Sequence, residues 1–562
     1  MKVSIVNKLN NSTIDNQNNN KSNESANFKG GDAFLRYLAT NQAVGANGVD
    51  LTSMVAPRTA SDMIRRGPLA GLETLRREIM GTVNDSLIGV YGIVAGSVIA
   101  ATMGISNKYG VNANTIMAAP ETVKILSNYK SKQINEKSTQ IDYFKDVFSN
   151  FKAFNPNHEG ASADGFVKLN EKQIEEVSRL MDSILKDESM DFKKWSKNKT
   201  PNSLDSLVNK ITEYTGAQSK YLLEYGEAPK GSAGTKEALK ASEYISSDTN
   251  LKTFLEDVYK VSDAFNKPEV KKAFEEQVQN GKSALENKFV NTLLKFKKSK
   301  AAAGFAAAAM VGLSVQPINM YLTKKKTGTD GFVGVEGRTK DDSTGFKVLK
   351  GVTAAGFGAM VLATLKTGLK GFMGKMAFKG FWPTIAQLKG VYGITIISRL
   401  LSARDKDELR ESLTKDTLGF LSWLILGDII NKMTAEGLDK SVLNRTKETD
   451  GKGFFKRVFN STLKNRDEVL IDALASNGLA TVKEVDGKHV SMSFKEMVAE
   501  LDKLPEAVRK ATKKRLSVLN KAQLAGYLFS GLVLGLGIPN LNIYITNKLD
   551  KKRKAALAEE TV

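Results

Sequence analysis

Three long stretches without a single charged residue constrain this chain more than any other feature. They are residues 86–106, 301–323 and 522–547. A helix of about 20 apolar residues crosses a hydrocarbon core of about 30 Å. Three such runs predict helices suited to a bilayer, with helices buried inside a large soluble core as the other reading. Gly92 and Gly96 in the first run, and Gly531 and Gly535 in the third, stand four residues apart on one helical face. Small residues at that spacing let helices approach closely where lipid supplies no hydrophobic drive.

Three weaker runs lie between the second and third. Residues 349–369 carry Lys350 and Lys366, 380–401 carry Lys389 and Arg399, and 417–433 carry Asp428 and Lys432. Charges near the ends of such helices reach the interface along their own stems, and Trp382 and Trp423 are suited to anchoring there. Lys389 and Asp428 lie deeper. A charge within a bilayer needs a partner, so a Lys389–Asp428 ion pair is expected.

Basic residues flank the strong runs on both sides. Lys295, Lys297, Lys298 and Lys300 precede the second, and Lys324, Lys325 and Lys326 follow it. Lys513, Lys514, Arg515 and Lys521 precede the third, and Lys548, Lys551, Lys552, Arg553 and Lys554 follow it. Cytoplasmic loops normally hold the excess of Lys and Arg, so two-sided flanks suggest re-entrant hairpins or buried helix pairs. Pro317 and Pro539 fall late in these runs and predict a break in each helix. Lys324, Lys325, Lys326, Lys513, Lys514, Arg515, Lys551, Lys552 and Arg553 are the expected contacts to anionic head groups.

The chain reads as internally duplicated. Asn319, Tyr321, Thr323 and Lys325 repeat as Asn542, Tyr544, Thr546 and Lys548, four identities at the same spacing. Leu75–Arg76–Arg77–Glu78, running on to Asp85, echoes Leu409–Arg410–Glu411, running on to Asp416. A Gly turn and helix after Asp164–Gly165 echoes one after Asp486–Gly487. The three pairs keep their order, as in a tandem repeat.

Between the apolar runs lie two polar inserts, 107–299 and 438–520. The first predicts amphipathic helices over 170–186, 203–214, 236–245, 250–265 and 282–296, from apolar residues at three- and four-residue spacing such as Ile174, Val177, Met181 and Ile184. Asn170 and Gln173 form a capping-box pattern. The second predicts a helix, a hairpin of 481–485 with 489–493 around Asp486–Gly487, a helix, and then a basic helix from Pro505. The expected divisions are a polar Asn/Lys-rich tail (1–30) without the apolar segment of a signal peptide, a helical segment (31–106), the first insert (107–299), an apolar region (300–437), the second insert (438–520) and a final apolar helix with a basic tail (521–562).

The chain of 562 residues has no cysteine and two histidines, His158 and His489. Thiol chemistry, thiolate metal sites and polyhistidine metal sites are thereby removed. Phosphate-loop, zinc-hydrolase and nucleophile-elbow patterns do not occur. His158–Glu159 reads as a solvated turn, and Gly-rich 328–345 as a loop. The net charge of +21 clusters at the ends of apolar runs, so nucleic acid is not the expected partner. The expectation is a mostly α-helical membrane-associated protein with a small β-hairpin in its second insert and no enzymatic activity, cofactor or metal. It would sit in a bacterial cytoplasmic membrane with its N-terminus inside and anionic lipid as partner, alone or as a homo-oligomer. A transporter or channel built from duplicated units, and a soluble helical structural or effector protein, are the alternatives.

Overall fold

The computed structural model describes residues 47–155, 158–162, 165–188, 204–216, 221–224, 243–245, 251–328, 340–378, 383–444, 453–485, 488–492 and 494–560. It is mostly helical. A π-helical turn (Asp50–Val55) leads into α1 (Ala56–Arg66), and Gly67 with φ of 93° turns the chain into α2 (Pro68–Ser86). Pro68 takes the first helical position, where a missing N–H costs nothing. The axis bends by 49° at Leu87 into α3 (Ile88–Thr102).

The first insert follows. It holds α4 (Pro120–Glu136), α5 (Gln140–Ser149), β1 (Phe151–Phe154), β2 (Phe166–Lys168), α6 (Glu171–Glu188), α7 (Leu204–Thr215), β3 (Tyr221–Leu223), β4 (Glu243–Ile245), α8 (Leu251–Asn266) and α9 (Pro268–Gln279). Its strands form an antiparallel sheet in the order β2-β1-β3-β4, with Ala153 opposite Val167 and Tyr221 opposite Ile245. This sheet was not expected from the sequence. Of the helix expected over 236–245, residues 236–242 lie outside the described residues, and Glu243–Ile245 form strand β4 instead. Pairing with β3 decides there, since β preference reflects neighbours more than local pattern. The capping box at Asn170 and Gln173 is present in both directions, at 2.9 and 3.0 Å.

Asn287 opens α10 (Lys288–Thr327), its side-chain oxygen accepting from the Phe289 and Val290 N–H groups. Phe289, Val290, Leu293 and Phe296 complete the core of the first insert. The helix then runs without interruption through the whole apolar run and through Pro317, where a break was expected. Proline removes the N–H that would bond the carbonyl four residues back. Here that carbonyl, Leu313, instead accepts from the Ser398 hydroxyl at 2.8 Å. A neighbouring helix thus supplies the lost donor, as happens in apolar helix bundles.

After α10 come α11 (Thr344–Thr364), α12 (Leu369–Lys375) and α13 (Ile385–Leu401), the last capped by a Thr384–Gln387 box. Next, α14 (Lys406–Leu421) passes through a π segment (Ser422–Leu426) into α15 (Gly427–Leu438). The second insert contains β5 (Leu443–Asn444), α16 (Phe454–Phe459), β6 (Thr462–Leu463), α17 (Arg466–Ala475), the hairpin β7 (Val482–Val485) and β8 (Lys488–Ser491), and α18 (Phe494–Glu500). The hairpin is as expected, with Glu484 opposite His489; its Asp486–Gly487 turn lies outside the described residues. Pro505 precedes α19 (Glu506–Ser530), a π segment (Gly531–Gly537) and α20 (Ile538–Glu560). Pro539 therefore stands at the start of a helical segment just after a π turn, not at a break.

Among the described residues, three helical stretches are long and apolar enough to cross a membrane: Lys288–Thr327, Thr344–Thr364 and Glu506–Leu549. The bent pair α2–α3 would make a fourth. In the bundle, α10 packs on α2, α3 and α13, while α19 and α20 pack on α15 and α14. The π turn before α1 packs on the π segment before α20, and α11 covers α13. The two inserts meet each other, α7 resting on β8.

Candidate functional site

The two N-x-Y-x-T segments make corresponding contacts. Asn319 donates to the Glu73 carbonyl at 3.3 Å, and Asn542 to the Glu411 carbonyl at 2.9 Å. Arg76 donates to the Thr323 hydroxyl at 3.0 Å, and Arg410 to the Thr546 hydroxyl at 2.7 Å. The Asn and Thr side chains are buried, whereas Tyr321 and Tyr544 are 65 % and 63 % exposed. Alternate residues on a helix turn to opposite sides, so one motif holds a neighbouring helix and presents a ring outward.

The correspondence extends up the helices. Gly312 and Gly535 each lie seven residues before the motif asparagine. A Cβ on Gly312 would come within 2.9 Å of the Thr395 hydroxyl, and one on Gly535 within 2.7 Å of the Ser53 carbonyl. Gly304 and Gly526 lie fifteen and sixteen residues before it. The extra residue falls across the π segment Gly531–Gly537, a wider turn that absorbs an insertion within a helix. Ion pairs cross in the same sense. Arg66, ending α1, meets Glu411 of α14 at 3.2 Å, and Arg404, following α13, meets Glu73 of α2 at 3.3 Å.

Between these contacts lies a buried charge cluster. Glu78 of α2 faces four cations: Arg399 at 3.1 Å, Lys415 at 3.2 Å, Arg77 at 3.4 Å and Arg58 at 3.8 Å. Arg399 also holds Asp416 at 3.0 Å. The carboxylate of Asp50 accepts from Thr82, and Asp85 is buried nearby. Arg399 joins α13 to α2 and α14. Buried ions are costly unless paired, and Arg399 is the cation that Glu78 and Asp416 share. Below the cluster is a cavity of about 40 Å³ lined by Arg58, Asp62, Arg66, Arg77, Glu408, Glu411, Ser412, Lys415, Pro539, Asn542 and Ile543.

The expected Lys389–Asp428 ion pair is replaced by another. Asp428 is 60 % exposed and pairs with Lys432, one helical turn on, at 2.7 Å; it acts on Lys389 only as a longer-range attraction. A local i,i+4 partner outcompetes one on a different helix. Of the expected head-group residues, Lys324, Lys325, Lys326, Lys513, Lys514 and Lys551 are exposed and Arg515 is half-buried. The side chains of Lys552, Arg553 and Trp423, and the whole of Trp382, lie outside the described residues. Two of the lysines preceding the second run turn inward: Lys297 donates to the Ile116 carbonyl and Lys300 to Asn114, both at 2.8 Å. This flank therefore serves partly to dock the first insert. His158 accepts from the Gly160 N–H within its turn.

Sequence reasoning placed Arg77, Glu78, Arg399 and Asp416 as repeat or flank residues without joining them, and it missed Arg58 and Lys415. The available signal was the charge density of α2 and α14 beside two uncharged runs. No group of three or more His, Asp or Glu suited to a metal occurs among the described residues. No family model, curated protein or solved structure matches this chain.

Proposed function

We propose that this chain is a multi-pass integral membrane protein of duplicated construction that acts as a non-enzymatic scaffold, presenting its two joined inserts on one side of a bacterial cytoplasmic membrane with the N-terminus inside. The observation that carries the reading is the apolar exterior of the bundle. Val94 and Val98 on α3, Met310 on α10, Val352 on α11 and Leu532 in the π segment are each more than half exposed. Apolar surface of that extent on long helices is a liability in water and an asset in lipid. Lysines at the helix ends and the outward Tyr321 and Tyr544 suit the two interfaces, with anionic head groups as partners. The matching contacts of the N-x-Y-x-T segments support duplication. Carbonate and high-salt washing of membranes tests this: the chain should stay in the pellet and leave it only with detergent. Recovery as a monodisperse soluble protein would replace it with the soluble effector reading.

A transporter reading draws support from one observation, the charge cluster between the repeated contacts. Transporters built from repeats place their sites at the repeat interface. Solute flux in proteoliposomes separates the two readings, and flux no faster than in empty vesicles rejects transport.

A further inference from the structure

A second cavity, of about 200 Å³, lies between the last turns of α10 and the first turns of α2. It is lined by Leu69, Leu72, Arg76, Thr323, Lys326 and Thr327, two cations and no acid. Arg76 gives Nη2 to the Thr323 hydroxyl at 3.0 Å. Its Nη1 makes no hydrogen bond among the described residues and is not buried, so an accessible, unbonded donor stands on a side chain of the cavity wall. Lys326 is exposed, and neither cation has an ion-pair partner among the described residues. The matching contact in the other motif is closed by acids. Arg410 donates to Thr546 and pairs with Asp407 at 3.2 Å, and Thr546 donates to Glu411. In the first motif Arg77 stands where Glu411 does, and Glu73, three residues before Arg76 as Asp407 is before Arg410, is held by Arg404 at 3.3 Å. The first motif thus keeps the arginine and the hydroxyl and lacks the acids that would neutralise them.

We infer that this cavity binds the phosphate of an anionic phospholipid, with Arg76 and Lys326 on the phosphate and Leu69 and Leu72 against the lipid's apolar part. Guanidinium groups bond phosphate oxygens strongly, and basic pockets between membrane helices take lipid head groups. The level fits. The uncharged run of α10 ends at Thr323 and Lys324 to Lys326 follow, so the cavity lies where the helix leaves hydrocarbon. Leu69 and Leu72 are 41 % and 39 % exposed. A free phosphate gains nothing from that apolar wall, whereas a phospholipid answers both the wall and the cations. The inference rests on the membrane reading and goes further, assigning one lipid class to one site between α2 and α10.

The test is thermal unfolding of the full-length protein in non-ionic detergent, with phosphatidylglycerol or phosphatidylcholine added to the micelles. Glycerophosphoglycerol, the same phosphodiester without acyl chains, is the third arm. A ligand that binds only the folded state raises the midpoint with its concentration. Phosphatidylglycerol should raise it by several degrees and saturate. Phosphatidylcholine, whose choline cancels the phosphate charge, and the chain-free diester should raise it much less. Arg76→Gln should lose the shift, and Lys326→Gln should need about fivefold more phosphatidylglycerol for half of it. Lys325→Gln, which does not line the cavity, should change it little. Equal wild-type midpoints in the two lipids overturn the inference whether or not any variant folds. So does a phosphatidylglycerol response with the same half-point in Lys326→Gln as in the parent. A response to glycerophosphoglycerol as large as to the lipid overturns the lipid assignment in favour of a soluble phosphodiester. A chain that stays in the carbonate-washed pellet but shows no preference between the lipids refutes this site alone, whereas one recovered as soluble protein refutes the membrane reading.

Discussion

Arg399 and Glu78, 321 positions apart in the chain, meet at 3.1 Å with each side chain 3 % exposed. Neither charge is tolerable there alone. Arg399→Met should therefore leave Glu78 and Asp416 short of a shared cation and cost about 3–5 kcal/mol. The expected outcome is a large fall in unfolding midpoint and in monodisperse yield, and a variant as stable as the parent would refute it.

Ser398 and Pro317 should be energetically coupled. Ser398→Ala leaves the Leu313 carbonyl without a donor, a loss of about 1–3 kcal/mol. Pro317→Ala restores the backbone N–H four residues on, so Ser398→Ala should cost much less in that background. A double-mutant cycle on unfolding free energies measures the coupling, and additive effects would mean that the hydroxyl does not replace the proline's missing donor.

Glycines at the helix crossings should respond opposite to the usual helix preference. Alanine in place of an exposed helical glycine gains about 1 kcal/mol. Gly356, with nothing within 4 Å of an added Cβ, should follow that rule, whereas Gly535→Ala meets the Ser53 carbonyl at 2.7 Å and Pro57 at 2.9 Å and should destabilise. Thermal midpoints of the two variants should therefore move in opposite directions.

The second insert should weaken as pH rises. Burial raises the Glu468 carboxyl to about 8 from an ordinary 4.5, with nearby Asp472 adding to the rise while the Asn465 cap and Lys464 oppose it. The folded state thus holds this proton more tightly than the unfolded chain. Its stabilising contribution is complete below pH 4.5 and is lost as pH climbs through about 8. Each tenfold difference in proton affinity between the folded and unfolded chain is worth about 1.4 kcal/mol. Protease resistance of residues 453–520 should fall between about pH 5 and 9 in the parent and stay flat in Glu468→Gln, which keeps an acceptor for Asn465.

The proposed membrane crossing can be tested directly because the chain has no cysteine. Single cysteines at Ser138 and Asn477, one in each insert, should react with a membrane-impermeant thiol reagent from the same side, and one at Lys325 from the other. Ser138 and Asn477 labelled from opposite sides would contradict the contact between α7 and β8.

What the sequence revealed follows from the range of each interaction. Apolar runs, the Asn170 and Gln173 cap and the 482–491 hairpin depend on neighbours a few residues away, and all were legible. The repeated Asn319 and Asn542 motifs were legible as identities, but not as the hydrogen bonds to α2 and α14 that they make. The continuity of α10 through Pro317 depends on a hydroxyl 85 positions away from the carbonyl it serves, and local rules point the other way. The strands β1 to β4 are too short for alternation to register. The charge cluster draws on α1, α2, α13 and α14, and its members are scattered over more than 300 positions, whereas Lys389 and Asp428 stand out locally as single charges inside apolar runs.

The unbroken course of α10 has a mechanical consequence. Its first turns are part of the core of the first insert and its last turns carry Asn319 and Thr323, over 40 residues and about 60 Å at 1.5 Å per residue. A rod of that kind has no hinge at the boundary between insert and bundle. Anything that tilts the first insert must displace the far end of the helix, and with it the grip on Glu73 and Arg76, so a load applied at one face of the molecule is delivered at the other.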